Sequence, residues 1–269
     1  AFKLVYEYSS TMTGFFLKKA FFDGWDNLIS MVVLNLGFLL LLLAFMGSMS
    51  LMGTNTVLAL LALLASAGVF SFYSAGAAAS THAYAKYERP GWEGFKRGIR
   101  ESWRHALFYW LLIVLDATLI LFVIPFYLSY GNAIGMLLSV LLFWLFMGLT
   151  LALFYYFPLF FLMQGDRPTK TLKKSFIIVF DNLFFTLFFA VYQVVNLVFS
   201  ALLAGLAPGV TGMHLASSDA VKLLMLKYDY LEEHADADRK HLPWDELLYE
   251  ERECVGHRSL KNMIFPWKD

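Results

Sequence analysis

The chain has 269 residues, of which 59% are apolar, 18% aromatic and 16% charged, with a mean hydropathy of +0.61. A soluble domain of this size carries roughly 25% charged residues, so this composition cannot supply a polar skin and points to an integral membrane protein. Twenty-one basic residues balance twenty-one acidic ones, which leaves no basic field for nucleic acid, and the single cysteine, Cys254, excludes an internal disulfide or a multi-cysteine metal site.

The charges are clustered. None lies between Asn27 and Ala85, Asp116 is the sole charge between Arg104 and Asp166, and none follows Asp181 until Asp219. A helix crossing the roughly 30 Å hydrocarbon core needs about 20 apolar residues. The first charge-free block therefore holds two spans, about 28–51 and 56–84, broken at Gly53-Thr54-Asn55. The second splits at Ser129-Tyr130-Gly131-Asn132 into about 105–128 and 133–163. A fifth span runs about 183–206 and ends at Ala207-Pro208-Gly209.

The next segment, 210–226, carries His214, Asp219 and Lys222, and hydropathy alone leaves it ambiguous. Charge resolves it. The turns near 51–56, 128–133 and 206–210 hold no Lys or Arg, whereas Lys86 to Arg104 holds six and Arg167 to Lys174 four. Six spans put all 21 basic residues on one side; five would strand eight outside. The expectation is an all-α integral membrane protein of six spans, multi-pass, with both termini cytoplasmic. The first 26 residues are mixed in character and precede a full-length span, so no secretory signal is expected there.

A repeat is visible. Lys18-Lys19 leads to Trp25, Lys96-Arg97 to Trp103, and Lys173-Lys174 to Phe180, at offsets of 78 and 77 residues. Glu88-Arg89-Pro90 recurs as Asp166-Arg167-Pro168. The expected transmembrane domain, 1–231, thus comprises three units of about 14–91, 92–168 and 169–231, followed by a cytoplasmic tail, 232–269. Each unit is an interfacial amphipathic helix ahead of a hairpin of two spans. Its Lys, Arg and aromatic side chains suit lipid headgroups.

Some of these residues carry a resemblance: Trp25-Asp26-Asn27 entering a Leu-rich span, Gly94-Phe95-Lys96-Arg97 to Arg104-His105-Ala106-Leu107, and Tyr156-Phe157-Pro158-Leu159 with Thr171-Leu172-Lys173-Lys174 and Asp181-Asn182-Leu183. Over about residues 14–230 the chain resembles the YesL-like family of small bacterial membrane proteins, a domain of unknown function. The resemblance implies an accessory protein of carbohydrate ABC importers, with membrane lipid and transporter permeases as partners and no catalytic residues.

Four polar residues inside spans are candidates for a site or for interhelical bonds: Asp116, its repeat counterpart Gln193, Asn35 and Asn196. His82 lies near them in sequence character. The small side chains of the second span, including Gly68, Ser71, Ala75 and Ala79, suit either a central helix or a face for another membrane protein. In the tail, His234, Asp236, Asp238 and His241 read as a charged linker more than a metal site. Leu242 to Leu248 reads as a short helix, and it and Ile264 to Trp267 are apolar hooks for a partner or for the chain itself. No phosphate-binding loop, zinc-protease or nucleophile-elbow motif occurs, so neither cofactor nor enzyme activity is expected. The alternative to the accessory role is a stand-alone small-solute carrier or channel with a polar site near Asp116.

Overall fold

The computed structural model describes residues 12–234, 236, 238, 239, 242–256 and 258, and every regular element among them is helical. Helix α1 (Met12–Asp26) leads into α2 (Leu28–Ser50), which turns through Leu51–Gly53 into α3 (Thr56–Ala85). Helix α4 (Gly91–Thr118) passes through a wide helical turn (Leu119–Val123) into the short α5 (Ile124–Leu128), and α6 (Ala133–Leu162) returns. Helix α7 (Pro168–Asp181) precedes α8 (Leu183–Leu202) and α9 (Gly209–Glu233), and the tail adds α10 (Trp244–Leu247) and α11 (Tyr249–Val255). Among the described residues five helices are long and apolar enough to cross a membrane: Leu28–Gly53, Thr56–Ala85, Gly91–Leu128, Ala133–Leu162 and Leu183–Leu202.

The turn chemistry follows the sequence. Asn55 and Asn132 cap α3 and α6, their side chains accepting from Leu58 N (3.0 Å) and Gly135 N (2.8 Å). The wide turn precedes Pro125, whose ring cannot donate into a regular helical ladder.

The joints expected between each leading helix and the apolar helix after it are not all alike. In units one and three an Asn breaks the chain between the leading helix and the apolar one, and its amide folds back on the helix it ends: Asn27 Nδ2 donates to Asp23 O (2.9 Å) and Asn182 Nδ2 to Ile178 O (3.1 Å). Unit two has Arg104-His105-Ala106 at that joint, residues that continue a helix, so the expected separate interfacial helix and span are one rod, α4, of 28 residues.

Helix α9 reverses the expectation set by its polarity. It passes the core of the fold, packing against α1, α2, α3, α6 and α8. Leu215, Ala216, Ala220, Val221, Leu223 and Leu224 are all buried, as are Thr211, Ser217, Ser218 and Asp219. Its neighbours shield it, so it needs no apolar outer face. The opposite holds for α2, α4 and α6, whose exposed side chains include Leu40, Leu43, Leu111, Leu115, Leu137 and Leu141.

The third hairpin is also displaced along the bundle. Its tip is tied to Asn35, seven residues into α2, and α2 runs on for fifteen more. At 1.5 Å per residue those distances are about 10 and 22 Å. Gly209 opens α9 at φ +63°, and a Cβ there would lie 2.2 Å from Asn35 Nδ2, so both backbone and space require glycine.

Candidate functional site

The sequence-predicted polar residues fall into separate places. Asn35 binds the α8–α9 turn: its Nδ2 donates to Leu206 O (2.9 Å) and Pro208 O (2.8 Å), and its Oδ1 accepts from Thr211 N (3.0 Å). Gln193 Nε2 donates to Met213 O (3.0 Å), pinning α8 to α9, and Asn196 Nδ2 donates to Gln193 Oε1 (3.3 Å). Asp116 is elsewhere, on α4, where Oδ2 accepts from Thr150 Oγ1 of α6 at 2.7 Å. Its other oxygen, Oδ1, is buried and has no hydrogen-bond partner among the described residues. The repeat-related residues Asp116 and Gln193 thus bond to different helices.

The small-residue face of α3 is spent inside the chain. Ser71 Oγ donates to Ala106 O of α4, Trp110 lies over Gly68, and Ala79 sits where a Cβ on Gly98 would be. Ser71 and Ala75 are buried, and Gly68 and Ala79 half-buried, against α4. Of the two expected roles for this face, packing of a central helix is the one the geometry carries.

Among the basic–aromatic residues, Trp25, Trp103 and Phe180 are exposed, as an interfacial position requires, and so are Lys96, Arg97 and Lys173. Lys174 pairs with Asp166 across the turn before α7. Lys18 Nζ reaches the tail at Gly256 O (2.9 Å). Lys19 departs from the expectation: it is fully buried. The pattern Phe15-Phe16 with Lys19-Ala20 and Asp23 places Lys19 on the inward face of α1, because helical neighbours recur every three to four residues.

Around Lys19 a charged cluster assembles that the sequence pattern did not disclose. Lys19 Nζ donates to Asp23 Oδ2 (2.7 Å), Ala85 O (3.1 Å) and Tyr87 Oη (2.9 Å). It lies 3.2 Å from Glu251 Oε2 and 3.6 Å from Asp219 Oδ1. Lys222 Nζ pairs with Glu251 Oε1 (2.5 Å) and donates to Ala85 O (2.9 Å), and Tyr87 Oη donates to Glu251 Oε2 (2.9 Å). Both ammonium groups stand over the Tyr87 ring. Four segments therefore converge: α1, the α3–α4 connection, α9 and the tail.

The electrostatics follow. Burial alone lowers a lysine, but the carboxyl groups gathered round it hold Lys19 above its ordinary value. Burial raises the Asp23 carboxyl despite the pull of Lys19. Burial also opposes ionisation of Glu251, yet Lys19, Lys222 and Tyr87 outweigh it and hold the carboxyl below its usual range. The one hint in the sequence was the string His214, Asp219, Lys222 in an otherwise apolar stretch, which marked α9 as ambiguous. Glu251 gave no signal at all, since its contact is more than 160 residues from Tyr87 in the chain.

The tail docks on its own protein. Leu248 and Val255 are buried in the largest apolar cluster, Trp244 packs against it, and Arg258 Nη1 clasps Asp26 at 2.9 and 2.8 Å. His241 and the segment from Ile264 to Trp267 lie outside the described residues. Comparisons with protein families, with curated proteins and with solved structures found no match.

Proposed function

We propose that this chain is a non-catalytic accessory subunit bound in the bacterial inner membrane to a carbohydrate ABC transporter, with six membrane-entering helices in three hairpins and both termini cytoplasmic. The observation that carries the reading is how its intramembrane polar groups are used. Asn35, Gln193 and Asn196 bond the third hairpin to itself and to α2, and supply no lining for an aqueous route. What the protein offers its surroundings is apolar: the exposed Leu40, Leu43 and Met46 of α2 and Leu137, Leu141 and Trp144 of α6. Because the small face of α3 is occupied, contact with permease subunits falls to these outer faces. The YesL-like resemblance supplies the class of partner, and the interfacial tryptophans and lysines supply the lipid contact.

Copurification from native membranes in mild detergent is the test. Transporter permease subunits recovered with the chain support the proposal; recovery of the chain free of any transporter subunit overturns it. One observation favours a second reading, a stand-alone carrier. Asp116 Oδ1 is buried without a partner, as an ion or solute ligand would be. Solute flux in liposomes containing this chain alone would establish that reading.

A further inference from the structure

The cluster around Lys19 contains three carboxyl groups and two ammonium groups, and its hydrogen bonds are unevenly shared. Lys19 gives its strongest bond to Asp23, while Lys222 and Tyr87 both serve Glu251. Asp219 receives nothing. It is fully buried, neither of its oxygens accepts from an N–H or hydroxyl of the described residues, and the cation paired with it, Lys19 Nζ, stands at 3.6 Å. The Asp23 carboxyl flanks the same ammonium at 2.7 Å and is buried with it. Two buried carboxyl groups on one ammonium share a proton, because two like charges this close cannot both persist in a closed interior. Asp23 already accepts from Lys19 and is the better acceptor. The proton therefore resides on Asp219.

We propose that the Asp219–Asp23 pair is a buried proton-binding site, and that its single proton secures the C-terminal tail through Glu251. With that proton bound, Lys19 and Lys222 balance Asp23 and Glu251, and the cluster is neutral. Loss of the proton leaves a third, unbalanced negative charge in a closed interior, beside the one carboxylate the tail contributes. Expelling Glu251, and with it α11, is the relief available, since Asp23 and Asp219 are fixed in long helices. The remaining groups facing the pair are Tyr192 of α8, His82 of α3, which lines a small crevice with Ser218 and Lys222, and Tyr87 with Lys86 after α3. None of these supplies a further cation to Asp219 in place of the proton.

Hydrogen exchange of residues 242–256, read by mass spectrometry on the purified full chain, tests the coupling. After correction for intrinsic exchange, tail protection in the native protein falls with rising pH, at up to about tenfold per pH unit, the limit for one linked proton. In Asp219→Asn the fall is absent, because the amide stays neutral. Asp23→Asn gives the same flat profile, since Asp219 then ionises against Lys19, and it serves where Asp219→Asn fails to fold. Infrared spectra provide a second readout. At neutral pH a carboxylic acid C=O band that survives Asp116→Asn is missing from Asp219→Asn and Asp23→Asn. Native tail protection that does not change with pH, a parallel fall in Asp219→Asn, or no acid band in the native protein overturns the proposal.

Discussion

Asn35 and Thr211 lie 176 residues apart in sequence and are joined by a 3.0 Å hydrogen bond from the Thr211 amide to Asn35 Oδ1. With the two bonds from Asn35 Nδ2 to Leu206 O and Pro208 O, one side chain of the first hairpin holds the whole tip of the third. This tip contains the bend into α9: Pro208 O also accepts from Gly212 N (2.9 Å), whereas Asn35 supplies the bonds to Leu206 O and the Thr211 amide that the bent backbone does not make.

Asn35→Leu, of similar size, is expected to leave those groups unpaired. An unsatisfied buried group costs about 1–3 kcal/mol, while single interhelical bonds in membranes average about 0.6 kcal/mol, so a total loss of roughly 2 kcal/mol is expected. Gly209→Ala is expected to be at least as damaging, since its methyl group would occupy the Asn35 amide. Equilibrium unfolding in mixed detergent measures both.

The displacement of the third hairpin predicts unequal access to its tip. Cys254 is the natural cysteine and is exposed, so Cys254→Ser gives a clean background. In it, Thr54→Cys and Tyr130→Cys, at the tips of the first two hairpins, are expected to react readily with a membrane-impermeant thiol reagent. Leu206→Cys is expected to react much more slowly, because the chain there sits beside Asn35, about 10 Å along α2. Equal labelling of all three would instead establish six complete spans.

How much of this could be read from the chain alone depends on periodicity. Helices α2, α3, α4, α6 and α8 face an apolar surrounding, and uniform hydrophobicity announced them along with their Asn-centred breaks. At Asp26-Asn27-Leu28 and Asp181-Asn182-Leu183 the same three residues stand at the same kind of joint between two helices. Helix α9 was hard to read for the reason it is central: enclosed by protein, it is free to carry Thr211, Ser217 and Asp219. The ion cluster was invisible because its members come from four separated segments, and a lysine next to another lysine looks like an interfacial pair until helix phase turns one inward.

That phase difference predicts unlike effects for two adjacent lysines. Lys19→Met removes the cation from between buried carboxylates, and breaking a buried pair in this way costs about 3–5 kcal/mol. Lys18→Met removes one partly exposed hydrogen bond to Gly256 O and is expected to cost about 1 kcal/mol or less. Thermal unfolding in detergent, with both variants in parallel, distinguishes them. Similar losses would show that Lys19 is not held as the cluster's central cation.

Acid is expected to loosen the tail from the other side. Lys19 and Lys222 hold Glu251 below its usual value, and the Tyr228 hydroxyl and Lys227 do the same for Asp181 against the effect of burial. A depressed folded value contributes stability above the unfolded value, and that stability is lost as pH falls through the folded one. Release of the segment 242–256 to protease should therefore rise as pH drops below the ordinary carboxylate range. Glu251→Gln should release it more readily at neutral pH and flatten the acid response. A tail equally resistant in native protein and Glu251→Gln would show that its apolar contacts alone hold it.

Asp116 separates the two functional readings. Thr150 Oγ1 donates to Asp116 Oδ2 between α4 and α6, and an amide oxygen can accept the same bond. Asp116→Asn is therefore expected to leave folding unchanged within about 0.5 kcal/mol, as for substitutions that preserve their contacts. Asp116→Leu is expected to cost about 0.6 kcal/mol or somewhat more through the lost interhelical bond. If Asp116 serves structure alone, Asn and native protein support the same transporter activity and copurify the same subunits. Activity lost in Asp116→Asn while folding and copurification persist would assign the unpartnered Oδ1 to a ligand and move the protein toward the carrier reading.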